Sequence, residues 1–384
     1  MLDPIINFFT WIFQMIGKGF GMIVAWLLWP FLIAGQWYRK RGFILKGIIG
    51  LLLLGLVSLY GYFFWQTQAW TNFDTNYATA YSRGAQSASA GEVVVSTASA
   101  TGTSGSTAGE GDVKTCMPSA ITAVTADLTD YNVNQNAWIS SMLLYKLGFF
   151  GLRWDLTPFF DNKASFQRGV NQAVRRTAIE LVDRLGRIRG SSQIDPNLQD
   201  ARGSLQFDEY TWYIGFNPPG PKTPTPAFYR SAIADLRAYN EKLAACNATF
   251  DARADNLVQF LDRIASDIGS TSDILRERSE GYDSGWFDTR ADDRFWFSYG
   301  QLYGYYGMIV ATRSDFADVI KSRGLVPLWD RLESQFRAAL AVQPFIISNG
   351  REDGWIMPTH LATMGFYVLR IRTNMIEIRS VLDR

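Results

Sequence analysis

Histidine and cysteine are scarce in this sequence, whose 384 residues include one His and two Cys. There is no His-x-x-x-His pair, no Cys-x-x-Cys, no Gly-x-Ser-x-Gly and no phosphate-loop motif, so the strong sequence signatures of metal, acyl-transfer and nucleotide chemistry are absent. His360 has no Cys or Ser partner at a recognisable spacing, and we interpret it as a capped or solvated residue. The sequence therefore predicts no catalytic, cofactor-binding or metal-binding residue.

An excess of one charge is also missing. The chain has 37 Lys and Arg against 36 Asp and Glu, a formal net charge of +1. Nucleic-acid binding calls for a basic face or domain, so we predict no nucleic-acid partner.

Charge is absent altogether from Gly47 to Trp65, a run of nineteen residues rich in Leu, Ile, Val, Tyr and Phe. As a helix it is about 28 Å long, close to the roughly 30 Å of a hydrocarbon core. A cleaved signal peptide would be shorter and would start the chain. We predict an uncleaved transmembrane helix over residues 43–66, which makes the lipid bilayer a partner.

Basic residues lie on one side of this run. Arg39, Lys40, Arg41 and Lys46 precede it, and no Lys or Arg follows until Arg83. Because cationic flanks stay in the cytoplasm, we predict a bacterial inner-membrane protein whose distal domain is periplasmic.

Residues 1–42 form an apolar segment that ends in the basic cluster. Two interpretations stay open for residues 19–38, which are long enough to span the membrane or to lie in its interface. We favour an interfacial or re-entrant segment, which places the N-terminus in the cytoplasm.

Residues 67–115 are predicted to be a tether, because residues 82–111 consist mostly of Ser, Ala, Gly and Thr. Such a composition buries too little apolar area to offset the entropy of ordering the chain. The distal domain is predicted to occupy residues 116–384.

Cys116 and Cys246 both follow the predicted membrane helix. In an oxidising compartment they would form a disulfide that closes a loop of about 130 residues. Two unrelated buried thiols are the alternative.

The distal domain has helical periodicity, and its most informative segment is the helix predicted over Asp292–Thr312. A small face recurs along it at helical spacing, formed by Gly300, Gly304, Gly307 and Ala311. This face predicts a second helix crossing at close distance between packed rings. Further helices are predicted at 166–188, 226–246, 254–275, 327–342 and 358–382, and a strand at Ala120–Val124. The predicted fold is mainly α, an N-terminal membrane anchor followed by a periplasmic bundle of long helices.

Paired acids are the one catalytic hypothesis that the sequence offers. The clusters are Asp208 with Glu209, Asp292 with Asp293, and Glu352 with Asp353. Two acids from different clusters would suit a glycosidase-type mechanism. Adjacent acids more often cap helices or face solvent, so we favour the structural interpretation.

Four distal stretches resemble a known family. They are Ala252-Arg-Ala-Asp-Asn-Leu, Asp315-Phe-Ala-Asp-Val, Trp329-Asp-Arg-Leu-Glu and the run from Ser348 through Gly350 to His360. With the single anchor before them, they resemble bacterial inner-membrane proteins catalogued only as a domain of unknown function, over roughly Gly47 to Arg384. The resemblance implies an inner membrane and a periplasmic helical domain, and it implies no catalytic or cofactor residue.

The sequence thus favours a membrane-tethered scaffold or interaction protein that binds copies of itself or other envelope proteins. The alternative is an envelope hydrolase that acts through paired carboxylates.

Overall fold

The computed structural model describes residues 15–384 with several gaps. Not described are 16–17, 19–20, 23–24, 27, 84–87, 96–113, 158, 188–193, 217, 283–284, 286–287, 352 and 354–356. The start of the predicted 1–42 segment, most of the Ser/Ala/Gly/Thr-rich segment and Glu352 lie outside the described residues. The chain divides into two compact units, Met1–Phe63 and Phe64–Arg384.

The first unit contains helical residues 28–39 and most of helix α1, Phe43–Gln68. The most apolar 18-residue stretch of α1 has a mean hydropathy of 2.2, and none of its residues is buried. Because α1 is apolar all round, it lacks the single apolar face of a surface helix. Among the described residues α1 is the one helix long and apolar enough to cross a membrane.

The second unit is mainly helical. Its α-helices are α2 (Ala120–Asp130), α3 (Leu143–Leu147), α4 (Asn162–Glu180), α5 (Pro196–Leu205), α6 (Thr225–Ala244), α7 (Ala254–Gly281), α8 (Ala291–Asp315), α9 (Ala317–Ser322), α10 (Val326–Leu340) and α11 (His360–Leu382). One-turn π-helices extend α2 and α4, at Tyr131–Gln135 and Leu181–Leu185, and 3₁₀ turns lie at Tyr77–Tyr81, Ile139–Ser141 and Trp154–Leu156. Two antiparallel ladders pair β1 (Val93–Val95) with β2 (Lys114–Cys116) and β3 (Ile214–Phe216) with β4 (Pro219–Pro221). The predicted mainly α fold is confirmed.

Helix α8 is the centre of the second unit, and almost all of its residues are buried. A Cβ added at Gly300 would clash with the Phe166 carbonyl of α4, and one at Gly304 would lie 2.8 Å from the Ala173 Cβ. The two helix backbones therefore approach too closely for larger side chains. Gly307 is covered instead by the Tyr77 ring and by Val124.

Helices α7 and α11 pack against each other beside α8. Seven apolar or small residues recur along α7 at spacings of three and four, which is a helical pattern. Ala254, the first of them, is half-buried, and the other six are buried, namely Leu257, Leu261, Ile264, Ile268, Thr271 and Leu275. Helix α11 begins at His360 because the Thr359 hydroxyl caps it by accepting from the Ala362 N–H.

The strand predicted at Ala120–Val124 is wrong, because these residues open helix α2. The Ser119 hydroxyl caps this helix by accepting from the Thr122 N–H at 3.0 Å. The buried Asp315 carboxylate accepts from the N–H groups of Ala120 and Ile121. These caps satisfy the first N–H groups of α2 and outweigh the local strand propensity.

Part of the predicted tether packs on the core. Trp70, Phe73 and Tyr81 contact core residues, and the Tyr77 ring stacks on Tyr303 at 4.4 Å. The Tyr77 hydroxyl donates to the Tyr303 carbonyl at 2.7 Å. Aromatic residues that flank the low-complexity segment thus supply the apolar area that the segment itself lacks.

Cys116 and Cys246 form a disulfide whose Cα atoms are 5.2 Å apart. It joins β2 to Cys246, two residues after the end of α6, across a sequence separation of 130. In the chain-entropy model a loop of this length stabilises the fold by about 5 kcal/mol.

Candidate functional site

A cavity of about 720 Å³ opens in the second unit. Its walls come from α4, α7, the first turns of α8, Tyr210 and the segment around α3. The lining residues are Tyr145, Lys146, Leu147, Gly148, Gly151, Arg153, Trp154, Arg168, Gln172, Tyr210, Ser270, Thr271, Ile274, Leu275, Arg290, Asp293, Arg294 and Phe297. This volume suits a small molecule or a lipid headgroup.

Cations dominate this cavity, which we call the arginine pocket. Five cationic side chains line it, from Lys146, Arg153, Arg168, Arg290 and Arg294, against the single carboxylate of Asp293. A cleft lined by one sign of charge concentrates ligands of the opposite sign. The pocket is therefore suited to an anion.

Hydrogen bonds hold Arg168, one of the five cations, in place. It donates to the Tyr210 hydroxyl at 2.8 Å and to the Ser165 hydroxyl at 3.1 Å. Ser165 in turn donates to the Asp293 carboxylate at 2.7 Å. The Arg168 Nε is buried without a hydrogen-bond partner among the described residues. Arg168 is thus held in place and keeps one donor unused.

The pocket lining also contains apolar side chains, from Leu147, Trp154, Ile274, Leu275 and Phe297. The buried Trp154 ring is fixed because its Nε1–H donates to the Leu144 carbonyl at 2.6 Å. A pocket lined by both cationic and apolar side chains suits an anion that carries an apolar body.

Two further carboxyls lie next to Asp293, from Asp161 and Asp292, and both are buried. Neither oxygen of Asp161 has a hydrogen-bond partner of normal geometry among the described residues. Burial, then the charge of Asp293, raises the pKa of Asp161 and of Asp292 well above the ordinary value. The two groups are therefore neutral acids near pH 7, so they add no negative charge beside the pocket.

The glycosidase hypothesis requires two acids from different sequence clusters to lie close together. Among the described residues, no two clusters supply such a pair. Glu209 accepts from Arg175 and from Asn171 at 3.0 Å each. Asp208 accepts from the Thr211 hydroxyl at 2.7 Å. Asp353 pairs with Arg351 at the surface. Of these paired acids only Asp293 lines the arginine pocket. Its close neighbour Asp161 belongs to no acidic cluster, so the sequence did not indicate it as a candidate site residue.

The stretches that carry the family resemblance have structural roles. Asn349 donates to the carbonyls of Arg278 and Tyr282 and to the Asp288 carboxylate, at 2.6–3.1 Å. The Trp329 Nε1–H donates to the Ile309 carbonyl at 3.2 Å. These contacts tie distant segments together.

His360 is half-buried and lies outside the pocket lining. Its Nδ1 accepts from the Ser348 N–H at 3.0 Å. Burial lowers the pKa of His360, so the ring is neutral near pH 7 and serves as a backbone acceptor. Across the described ranges, no group of three or more His, Cys, Asp or Glu side chains is arranged to hold a metal ion.

Residues 113–284 match the model of a family described as "Uncharacterized protein conserved in bacteria (DUF2333)". No curated protein and no solved structure matches the chain. The matched residues contain Lys146, Arg153 and Arg168 of the pocket, whereas Arg290 and Arg294 lie beyond them. That family has no described activity to carry over.

Proposed function

We propose, from the match of residues 113–284 to an uncharacterized bacterial family, that this chain is a single-pass inner-membrane protein that works by binding. Its distal domain takes an anionic ligand with an apolar portion in the arginine pocket. The observation that carries the proposal is a cavity lined by five cationic side chains, one carboxylate and several apolar side chains.

Helix α1 supports the membrane anchor, since it is long and apolar enough to span a bilayer. The orientation rests on Arg39, Lys40, Arg41 and Lys46, which precede the apolar run and would stay in the cytoplasm. The disulfide between Cys116 and Cys246 supports a periplasmic domain, because disulfides persist in oxidising compartments.

The hydrolase alternative has less support. A pair of glycosidase carboxyls lies about 5–10 Å apart on either side of the substrate. Among the pocket-lining residues Asp293 is the one acid, and its acidic neighbours Asp161 and Asp292 do not line the pocket. The wall offers guanidinium, ammonium and hydroxyl groups, which bind anions without proton transfer.

Binding is tested with 1-naphthyl phosphate, a probe that joins a phosphate to an aromatic body. Full-length protein in phosphatidylcholine nanodiscs is titrated by calorimetry, with empty nanodiscs subtracted. Arg290→Gln combined with Arg294→Gln should weaken binding at least tenfold. Neutral 1-naphthol should bind more weakly than the phosphate to the unchanged protein.

Arg276→Gln is the matched control, since Arg276 lies on α7 outside the pocket and pairs only with exposed Asp273 among the described residues. It should bind the probe as the unchanged protein does. Equal affinity of the pocket double variant and the control would overturn the proposal.

Self-association is a second function, favoured by the surface of α11. The side chains of Phe366, Leu369 and Ile376 are exposed on one side of this helix, although the opposite side packs in the core. Such an apolar stripe suits a second copy of the chain. Leu369→Lys with Ile376→Lys should reduce the oligomer mass measured by sedimentation in detergent, and an unchanged mass would exclude this face.

A further inference from the structure

The described residues 147–157 and 159–160, which we call the aromatic loop, expose an unusual number of apolar side chains. They belong to Leu147, Phe149, Phe150, Leu152, Leu156 and Phe159. The Phe150 side chain is 71% exposed and that of Leu152 is 64% exposed. Loops that face water are normally polar, and contiguous apolar patches mark contact surfaces.

The tip of this loop holds a large ring in an unfavourable backbone conformation. Phe149 and Leu152 exchange two backbone hydrogen bonds of 2.7 and 3.0 Å around the turn Phe150–Gly151. The φ angles of Phe150 and Gly151 are 50° and 93°, as a type I′ turn requires. Asn is the preferred residue at the first position, and a bulky side chain there is strained. The Phe150 ring packs edge to face on the Phe149 ring, with centroids 5.0 Å apart, and the residue nevertheless remains 71% exposed.

The base of the loop packs on the end of helix α1. The Phe64 ring lies 4.7 Å from Phe160, 5.8 Å from Trp154 and 6.4 Å from Phe149, measured between centroids. The Gln68 side chain donates to the Phe159 carbonyl at 3.0 Å. The loop is thus fixed to the last residues of α1.

Chain position then gives the depth of the loop. The apolar run ends at Trp65, which is followed by Gln66, Thr67 and Gln68, so Phe64 lies about 1.5 Å along the helix from the distal end of that run. Rings that surround Phe64 therefore lie near the boundary of the hydrocarbon core.

We propose that the aromatic loop lies in the distal interface of the membrane that α1 crosses. The Phe150 and Leu152 side chains enter the acyl region. This inference rests on the membrane anchoring proposed above, and the lipid bilayer is the occupant because the loop continues the apolar surface at the end of α1.

The test measures lipid depth with spin labels on full-length protein in vesicles of phosphatidylcholine and phosphatidylglycerol. The two native cysteines are joined in the disulfide, so a single new Cys can be labelled. Phe150→Cys tests the loop, Leu54→Cys in α1 is the lipid control, and Phe345→Cys at a 92% exposed site is the water control. Collision with oxygen should exceed collision with a water-soluble nickel chelate at 150 and 54, and the reverse should hold at 345.

Three other results of the spin-label experiment would each contradict a different part of the proposal. A label in lipid at 54 and in water at 150 overturns the loop proposal and leaves the anchor intact. A label in water at 54 overturns the anchor itself. Dipolar broadening between labels at 150, with low access to both reagents, means that a second copy covers the loop and overturns the lipid assignment.

Phe150→Asn distinguishes membrane contact from a structural role. Asn suits the positive φ, so this variant should unfold at a higher temperature than the unchanged protein. A label at Leu152→Cys should nevertheless shift toward water when Phe150→Asn is added. A lower unfolding temperature together with unchanged depth would show that Phe150 serves the fold and would overturn the proposal.

Discussion

The Asp315 carboxylate accepts a hydrogen bond of 2.7 Å from the Ala120 N–H, and the two residues are 195 positions apart in the chain. Asp315 ends α8 and Ala120 begins α2, so this bond joins the central helix to the first helix after β2. The same carboxylate accepts from the Ile121 N–H and the Ser119 hydroxyl. One buried acid therefore satisfies three donors at the start of α2.

Asp315→Asn should destabilise the second unit by about 1–3 kcal/mol, the usual cost of unsatisfied buried groups. The amide keeps one acceptor oxygen but turns an NH₂ group toward donors. The expected result is a lower unfolding temperature of the detergent-solubilised protein, measured by intrinsic fluorescence. Asp318→Asn, which changes an acid on the adjoining helix α9, is the control, and a drop of equal size there would contradict the specific capping role.

Gly304→Leu should destabilise the crossing of α4 and α8. A Cβ at this position already approaches the Ala173 Cβ at 2.8 Å, and overpacking of a core costs about 1–3 kcal/mol. Gly203 of α5 is a matched control, because it is also a helical Gly and nothing lies within 4 Å of its added Cβ. Gly203→Ala should therefore raise stability by up to about 1 kcal/mol. Equal unfolding temperatures for the two variants would contradict a close crossing.

Much of the fold could be predicted from periodicity. The buried seam of α7 recurs at spacings of three and four, and Gly300 with Gly304 indicated a close crossing before any partner helix was known. The start of α2 was predicted wrongly because the local cap residue Ser119 was not recognised as a helix start and the second cap, Asp315, lies far away in the chain. Local propensity carries no information about a tertiary cap.

The arginine pocket could not be predicted from the sequence. Lys146, Arg153 and Arg168 precede Arg290 and Arg294 by more than a hundred residues, and tertiary packing brings them to one cavity. Arg290 and Arg294 are one turn apart and would share a helix face, yet such pairs are common on solvated surfaces. The search for paired acids missed Asp161 because no acid adjoins it in the sequence.

Asp161→Asn should stabilise the protein at neutral pH. Since burial and then Asp293 raise the folded-state pKa of Asp161 above the ordinary 3.8, the folded state retains a proton that the unfolded state has released. Stability contributed by this group is full below about pH 4 and falls as pH rises toward the folded-state pKa. Asn resembles the neutral acid and does not titrate, so the variant should lack this loss of stability with rising pH.

The Asp161→Asn variant should unfold at a higher temperature than the unchanged protein. The difference between the two unfolding temperatures should grow from pH 4 to pH 7. Asp273→Asn, at an exposed site on α7, should show no such growth. A constant or negative margin for Asp161→Asn would mean that Asp161 is ionised in the folded protein.

Labelling of cysteine variants in cells tests the topology. A membrane-impermeant maleimide should label Phe345→Cys once the outer membrane is permeabilised, because the second unit is proposed to be periplasmic. Lys40→Cys should be labelled only after the inner membrane is also lysed, since the basic cluster is proposed to be cytoplasmic. The reverse pattern would place the arginine pocket in the cytoplasm.

Asp293→Asn separates binding from catalysis. Asp293 is the one acid in the pocket lining, and the Ser165 hydroxyl donates to it at 2.7 Å. Asn keeps an acceptor for Ser165 and removes a negative charge from a cationic cavity, so the pocket should bind 1-naphthyl phosphate roughly three- to tenfold more tightly, an electrostatic gain of about 1 kcal/mol. A deletion strain complemented with this variant should keep its function, as should one with His360→Gln at a residue outside the pocket. Loss of function in Asp293→Asn, with unchanged unfolding temperature and probe binding, would assign proton transfer to Asp293 and favour the hydrolase.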